Sequence, residues 1–278
     1  MPSFKRMRPL LGTFVEIGCD ESAVNAETAV AAAFDIVEKL HRLLSFHEAT
    51  SDLTRLNQAN GEAVEVHQHT VRVMKLARGM TAISKGLFNC TLGGAMVRNG
   101  ALPDHDLLNQ CNTGVLNDVL SSGIASDIQI VGNKINLKKS VKVTLDGIAK
   151  GYAVDCAIAT MKRCGVEAGW VNAGGDLRAY GDLVLPVQRR ETNGKYVALG
   201  GLQNASLATS LVTTTYDKEF PGKIISNLGA PNIGTWSVMA YFAWRADALT
   251  KVACLASDSN RESIIAQLGG IIVTPQSN

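Results

Sequence analysis

The chain has 278 residues, of which 46% are apolar and 19% are charged, so it can bury a large core as one big domain or as two close lobes. Its formal net charge is only +2, and no cluster of Lys and Arg with interleaved aromatic residues occurs, which argues against a nucleic-acid-binding protein. The six cysteines are scattered without a Cys-x-x-Cys pair, so we expect reduced, apolar side chains and not a metal site.

The N-terminal sequence, MPSFKRMRPLLGT, lacks the apolar stretch of a signal peptide. No apolar run in the chain approaches the length of a transmembrane helix. We therefore expect no membrane span and a cytoplasmic location, or a periplasmic location if the N-terminus has been trimmed.

The first half of the chain carries the patterns of long helices and short β elements. Residues 13–17 alternate as a strand does, and an amphipathic helix follows, whose apolar stripe runs from Ala26 to Leu44. A short helix is predicted at 51–57, and a second long helix at 69–85 ends at Gly86. At 127–137, two apolar runs flank Gly132-Asn133, which is typical of a β-hairpin.

The stretch at 141–182 is the centre of the sequence argument. Val141, Val143 and Leu145 alternate with polar neighbours, which predicts a strand. A helix with a small-residue inner face is then predicted up to Gly165, and a strand at 169–172 follows it. The next five residues, NAGGD at 172–176, form a second glycine turn that lets the backbone pass close to a ligand or to another strand.

Gly147 and Gly151 bracket the first turn of the predicted helix, with Lys150 between them. Backbone N–H groups at a helix N-terminus attract anions, so a phosphate could bind there. The spacing is not that of a Walker loop. The alternative is that both glycine turns are ordinary tight turns, and the spacing alone favours that alternative.

Beyond residue 182 the elements indicate an antiparallel sheet. Short strands are predicted at 183–187, 196–199 and 206–210, and their alternation with turns favours an α+β fold over a doubly wound one. A helix then opens at Arg245 and places Asp247 and Lys251 one turn apart on the same face. A final helix at 261–268 and a strand at 270–273 close the chain.

The segments LDGIAKGYAVD and VNAGGDLRAYGD together resemble the paired motif of the FAD:protein FMN transferase (ApbE) family. The similarity extends from RPLLGT at 8–13 to ADALT at 246–250. It implies a T-fold-like α+β architecture of antiparallel sheets flanked by helices, with residues 1–278 as a single domain and an FAD cleft between two lobes. It also implies a magnesium-dependent enzyme that splits FAD, releases AMP and leaves FMN on a Thr or Ser of an acceptor flavoprotein.

The resemblance also assigns site residues. The residues that it implies at FAD are Gly147, Lys150, Gly151, Ala173, Gly174, Gly175, Asp176, Thr209, Ser210 and Met239. It implies a magnesium ion at Asp247 and the backbone carbonyl of Ala149, with Thr250 as a further oxygen ligand. The predicted catalytic residues are Asp247 and Asn227, the latter in place of a histidine of the family.

Three catalytic positions depart from the family pattern: Asn227 replaces the histidine, Ala230 replaces an aspartate, and Lys251 replaces a metal-binding Thr or Asp. An asparagine cannot act as a general base, and loss of one typically costs about 10²–10⁴-fold in rate. A replacement base would be Asp247, Asp176, Asp217 or a distant histidine. An ammonium at Lys251 would repel a divalent cation or take its place.

Four functions therefore stay open at this stage. They are FMN transfer to a protein, FAD binding without catalysis, hydrolysis of FAD to FMN and AMP, and a scaffold role without flavin. The alternative for Asp247 and Lys251 is an ordinary ion pair on a helix surface. Tyr152, Tyr216 and Trp244 are candidates for stacking on the isoalloxazine ring, with core packing as the alternative for each.

Overall fold

The computed structural model describes residues 3–20, 23, 25–105, 122–138, 141–213 and 224–275. Tyr216 and Asp217, predicted as a stacking residue and a base, lie outside these residues. Contacts along the chain divide it into two compact units. Unit 1 comprises Met1–His41, Ile148–Thr214 and Asn232–Asn278, and unit 2 comprises Arg42–Gly147 and Thr215–Pro231. The single domain with an FAD cleft between two lobes stays a prediction.

The described residues form helices and strands in an α+β order. The helices are α1 (Ala26–Leu44), α2 (Asp52–Gln58), α3 (Gln68–Ile83), α4 (Gly93–Arg98), α5 (Ala149–Arg163), α6 (Ala243–Leu255) and α7 (Arg261–Gln267). The strands are β1 (Ser3–Leu10), β2 (Thr13–Asp20), β3 (Val64–Glu65), β4 (Ile128–Val131), β5 (Lys134–Leu137), β6 (Gly169–Ala173), β7 (Asp176–Tyr180), β8 (Leu185–Arg190), β9 (Tyr196–Leu202), β10 (Ser206–Val212), β11 (Gly234–Ala240) and β12 (Gly270–Val273). None of the described helices is both long and apolar enough to cross a membrane.

Unit 1 is built on a seven-stranded sheet in the order β1-β2-β6-β7-β10-β11-β12, and every neighbouring pair is antiparallel. α5 packs on β6 and β7, and α6 packs on β10 and β11. Buried residues of α1 and α5 share one hydrophobic cluster with β2 and β6. These three helices therefore cover one face of the sheet, which is called the helix face below.

The opposite face of the sheet is covered by the β8–β9 hairpin. Its cluster comprises Trp170, Leu177, Ala179, Val187, Leu202 and Leu207. On β10, Leu207 belongs to this cluster, whereas the next residue, Ala208, packs with Ala246 of α6. Because successive side chains of a strand point to opposite faces, this alternation fixes the face of every residue on β10.

Unit 2 contains a three-stranded antiparallel sheet in the order β3-β5-β4, together with α2, α3 and α4. The predicted hairpin at 127–137 is confirmed as β4 and β5, with Gly132-Asn133 between them. Ser51 caps α2 because its side chain accepts a hydrogen bond from the Thr54 N–H. Ser51 is nonetheless buried, so it is not a solvated loop residue.

The predicted strand at Val141, Val143 and Leu145 is wrong. The segment is buried and makes only an isolated bridge, between Lys142 and Leu92. Its backbone does bond to the chain at 90–93, since the Gly93 N–H donates to the Lys142 carbonyl and the Thr144 N–H donates to the Cys90 carbonyl. At Val143, however, a side chain takes the place of a neighbouring strand. The amide of Asn57 donates to the Val143 carbonyl at 2.8 Å and accepts from the Val143 N–H at 2.7 Å.

The predicted fold class is confirmed, since the chain is α+β with antiparallel sheets flanked by helices. The predicted helix that ends at Gly165 is confirmed as α5, and Gly165 adopts a φ of +84°. The predicted helix that carries Asp247 is confirmed as α6. The sequence patterns did not predict α4 or the strands β1, β3, β7 and β11.

Candidate functional site

The carboxylate of Asp247 lies at the N-terminus of α5. No side chain of the preceding residue caps the helix, and the Gly151 N–H donates to Oδ2 of Asp247 at 3.2 Å. The positive end of a helix dipole stabilises a negative charge at this position. One of the N–H groups that the sequence assigned to a phosphate is therefore bonded to Asp247.

Gly151 is also a point of close contact between α5 and α6. A Cβ atom at Gly151 would lie 2.5 Å from the carbonyl carbon of Ala243 and 2.7 Å from Cα of Trp244. No real Cβ tolerates such distances, so only glycine fits at this position in the present helix packing. Packing is thus sufficient to explain this glycine without any ligand.

Two lysines and two aspartates meet on the helix face of the sheet, and they are called the lysine–aspartate cluster: Lys150, Asp176, Asp247 and Lys251. Lys251 is ion-paired with Oδ1 of Asp247, and Nζ of Lys150 lies 3.2 Å from Oδ2 of Asp176. The side chains of Asp247 and Asp176 are 0% and 5% exposed, whereas those of Lys251 and Lys150 are 21% and 32% exposed. Solvent therefore reaches the lysine side chains of the cluster more than its carboxylates.

The two buried carboxylates have opposite pKa shifts. Burial and the nearby charge of Asp247 raise the pKa of Asp176, against the opposing effect of Lys150 and Lys251. Burial also favours a higher pKa for Asp247, but Lys251, Lys150 and the Gly151 N–H outweigh it and hold that pKa below its ordinary value. Asp247 is thus the firmly ionised member, and Asp176 is the better proton acceptor of the two.

Hydroxyl groups fix the next turn of α6 against β10. Thr250 Oγ1 donates to the carbonyl oxygen of Asp247 at 2.8 Å, and Ser210 Oγ lies 2.7 Å from Thr250 Oγ1. Because the only proton of Thr250 is used on the carbonyl, Ser210 is the donor in the second bond. The structure therefore brings the predicted residues Ser210, Thr250 and Asp247 together.

The arrangement around Asp247 does not fit the magnesium site that the resemblance implied. One carboxylate oxygen of Asp247 is paired with Lys251, the other accepts from Gly151, and Thr250 is bonded to Ser210. Magnesium requires near-octahedral oxygen coordination. Within the part of the chain that the structure describes, no group of three or more His, Cys, Asp and Glu side chains could hold a metal ion.

A further ion pair positions the start of α6, and the sequence argument missed it. Asp155 of α5 accepts hydrogen bonds from the N–H groups of Ala243 and Trp244 at 3.1 and 3.0 Å, and it is paired with Arg178 of β7. It acts as an N-terminal cap supplied by a neighbouring helix. The available signal was a charged residue between two apolar neighbours in each of the two elements, α5 and β7.

The second glycine turn is a two-residue hairpin loop between β6 and β7. Gly174 and Gly175 have φ values of +65° and +99°, and the Gly175 N–H donates to the side chain of Asn172 at 2.9 Å. A Cβ atom at Gly174 would lie 2.9 Å from Cγ2 of Thr13. The hairpin and this close contact explain both glycines, and their role at a flavin stays a prediction together with that of Ala173.

Two of the residues predicted at FAD lie on the other face of the sheet. Thr209 follows Ala208 on β10, so its side chain points away from α6, and its Oγ1 is 2.9 Å from the Ser237 hydroxyl. Met239 of β11 packs against the cluster that contains Leu207. The sheet itself thus separates these side chains from the lysine–aspartate cluster.

Comparison with known proteins decides the family. A model described as the ApbE family matches residues 11–273 of the chain. The chain belongs to the ApbE family.

Two curated ApbE relatives are named FAD:protein FMN transferase. The protein from Rhodobacter capsulatus is 27% identical over 181 residues, which cover 62% of this chain and 34% of that protein. The protein from Vibrio cholerae is 26% identical over 158 residues, which cover 52% of this chain and 44% of that protein. The chain thus matches less than half the length of each of these relatives.

A solved structure of the ApbE protein from Thermotoga maritima has the same fold. The TM-score is 0.80 at 21% sequence identity, and the match covers 97% of this chain and 93% of that one. At this level of identity the likeness shows the fold. It confirms the ApbE-like architecture that the two glycine motifs predicted.

Asn227, which stands where the ApbE resemblance places a histidine, lies in unit 2. Its side-chain amide donates to the Ser122 hydroxyl at 2.9 Å. Asn227 and Lys85 are among the residues that line an open cavity of about 430 Å³ in this unit. An amide nitrogen has no basic lone pair, so this side chain can orient a group but cannot take its proton.

The predicted substitutes for the base and for flavin stacking are also located. Asp247 and Asp176 belong to the lysine–aspartate cluster of unit 1. Tyr152 is buried with 3% exposure, which supports core packing for that residue. Trp244 is half-buried, and the guanidinium of Arg245 lies 5.1 Å from its ring centroid.

Proposed function

We propose that this chain is an FAD:protein FMN transferase. In this reaction a Thr or Ser hydroxyl of an acceptor flavoprotein attacks the phosphorus of the FMN half of FAD. The new oxygen–phosphorus bond forms as the pyrophosphate bond to AMP breaks, and the hydroxyl proton passes to a base. The products are a protein phosphoester of FMN and free AMP.

The observation that carries the proposal is the lysine–aspartate cluster. Its lysine side chains, Lys150 and Lys251, are its partly exposed members, and a pyrophosphate is the part of FAD that ammonium groups recognise. Positively charged donors fixed before the reaction stabilise the negative charge that develops on a leaving phosphate. Membership of the ApbE family and the names of the two curated relatives support the same activity.

Within this proposal, Asp176 is the residue that we assign as the base. Its pKa is raised, and its Oδ2 has Lys150 at ion-pair distance but no partner in good hydrogen-bonding geometry among the described residues. Asp247 is a poorer base because Lys251 and the Gly151 N–H occupy its oxygens and lower its pKa. Magnesium, which the resemblance implied at Ala149, Asp247 and Thr250, has no role in these steps because that donor set does not fit it.

FAD binding without catalysis is the second candidate. The amide of Asn227, which cannot act as a base, favours it. The two candidates make the same prediction for FAD affinity and opposite predictions for product formation.

Incubation of a flavin-acceptor domain with this chain and FAD distinguishes the candidates. Intact-protein mass spectrometry should show the gain of one FMN on the acceptor, with an equal amount of AMP in the same tube. FAD binding without either product would establish the second candidate. AMP without a labelled acceptor would mean hydrolysis, and no FAD binding would exclude all three flavin functions.

Replacement of Lys150 by methionine is expected to weaken FAD binding roughly 10- to 100-fold. A hydrogen bond from a charged group contributes about 1.5–3 kcal/mol, and each 1.4 kcal/mol is tenfold in affinity. Quenching of flavin fluorescence measures the affinity. The control is Lys75→Met on the exposed side of α3, which should leave the affinity unchanged. Equal affinity of Lys150→Met and the unmodified protein would remove Lys150 from the binding site.

A further inference from the structure

The ammonium group of Lys251 lies at the position where the resemblance implied a metal ion. Lys251 lies one helical turn after Asp247 on α6, and its ammonium group is paired with the carboxylate of Asp247. Asp247 has no solvent exposure, so an incoming ion would have to displace this ammonium to reach it. Removing an ammonium from a buried carboxylate is costly unless another positive charge replaces it in good geometry.

The formal charges of the lysine–aspartate cluster cancel, since Lys150 and Lys251 balance Asp176 and Asp247. A divalent cation added to this cluster would leave two uncompensated positive charges beside buried groups. Replacing Lys251 by a neutral residue changes the balance, because the cluster then has one negative charge in excess. In the absence of bound FAD, the charge count thus disfavours a divalent ion in this chain and favours one in a variant without Lys251.

We propose that Lys251 acts in place of a metal ion, so that this chain binds the pyrophosphate of FAD without a divalent cation. The inference rests on the proposed function, because it concerns the same ligand. An ammonium has three donors. One donor is used on Asp247, and the side chain is 21% exposed, so a phosphate oxygen that reaches the ammonium can accept from its remaining donors.

Neighbouring groups hold Lys251 in this role. α6 is fixed at its start by Asp155, which accepts from the Ala243 and Trp244 N–H groups. It is fixed near Lys251 by the bond between Ser210 and Thr250. Asp247 itself is held by the Gly151 N–H. The ammonium is therefore positioned before any ligand arrives, as a preorganised electrostatic site requires.

FAD binding to the unmodified protein, measured by fluorescence quenching in EDTA and again in excess Mg²⁺, tests the inference. We expect the two dissociation constants to agree within about twofold. In the variant Lys251→Thr, the affinity in EDTA should fall about tenfold or more, the size of one lost charge-assisted bond, and Mg²⁺ should restore a substantial part of it. The variant Lys75→Thr is the control and should show no change under either condition.

Each outcome has a separate meaning. FAD binding by the unmodified protein that requires Mg²⁺ would overturn the inference and leave the proposed function intact. Failure of the unmodified protein to bind FAD in both buffers would overturn the proposed function and the inference together. Electron paramagnetic resonance of Mn²⁺ gives a readout without FAD: tight binding to the unmodified protein that Asp247→Asn abolishes would also overturn the inference.

Discussion

Replacement of Gly151 by alanine is expected to destabilise the protein by about 3 kcal/mol, whereas the same replacement at Gly79 is expected to stabilise it by up to about 1 kcal/mol. Both glycines lie inside helices, α5 and α3, where alanine normally has the higher helix propensity. The difference lies in what the added methyl group meets. At Gly79 no atom lies within 4 Å of the new Cβ.

At Gly151 the methyl group would overlap the backbone of α6. The carbonyl carbon of Ala243 would lie 2.5 Å away and Cα of Trp244 2.7 Å away, and a backbone cannot rotate aside as a long side chain can. To remove this overlap, α5 and α6 must move apart, which also lengthens the hydrogen bond from the Gly151 N–H to Asp247. The expected cost is at the upper end of the range for overpacked sites.

Thermal unfolding followed by calorimetry would measure both variants. We expect the melting temperature of Gly151→Ala to fall and that of Gly79→Ala to rise slightly. Equal shifts of the same sign would mean that α5 and α6 do not approach as closely as the structure indicates. The pair of variants isolates the helix contact, because the chemical change is identical.

Elements that depend on short stretches of sequence were predicted well. The bounds of α5 follow from the glycines on either side of it, and the β4–β5 hairpin follows from the dipeptide Gly132-Asn133. The pairing of Asp247 with Lys251 follows from their spacing of four residues. In each case the residues that determine the structure are neighbours along the chain.

Features that depend on distant residues could not be read from these patterns. The alternation of Val141, Val143 and Leu145 is real, but the backbone of Val143 bonds to the side chain of Asn57, 86 residues away, and not to a strand. The burial of the Asp247–Lys251 pair has a similar cause. Its spacing is equally compatible with an exposed helix surface, and it does not reveal that α5 approaches α6 closely at Gly151 or that Asp247 is inaccessible.

The structure brings some of the predicted site residues together and separates others. Ser210, Thr250 and Asp247 do meet on the helix face. Thr209 points away from α6 because one step along a strand reverses the side-chain direction, and a resemblance between motifs does not carry that information. Asp155 was missed because its role is to cap a helix that begins 88 positions later in the sequence.

Replacement of Asp247 by asparagine is expected to cost about 3 kcal/mol of unfolding free energy, even though the two side chains have nearly the same shape. Asparagine removes the charge that compensates Lys251 and Lys150, and removing one partner of a buried ion pair typically costs about 3–5 kcal/mol. The lower value applies because the side chain of Lys251 is 21% exposed and water can partly solvate it. Urea unfolding at neutral pH would measure the loss.

A second variant separates the charge effect from a packing defect. The double variant Asp247→Asn/Lys251→Met also lacks the ammonium group that Asp247→Asn leaves without its partner. Its loss of unfolding free energy should therefore be smaller than the sum of the two single losses by about 1–3 kcal/mol. Lys251→Met alone should cost less than Asp247→Asn, because Lys150 and the Gly151 N–H still stabilise the Asp247 carboxylate. Strictly additive losses, each below about 1 kcal/mol, are typical of an exposed ion pair. Such a result would contradict the buried cluster on which the proposed pyrophosphate site depends.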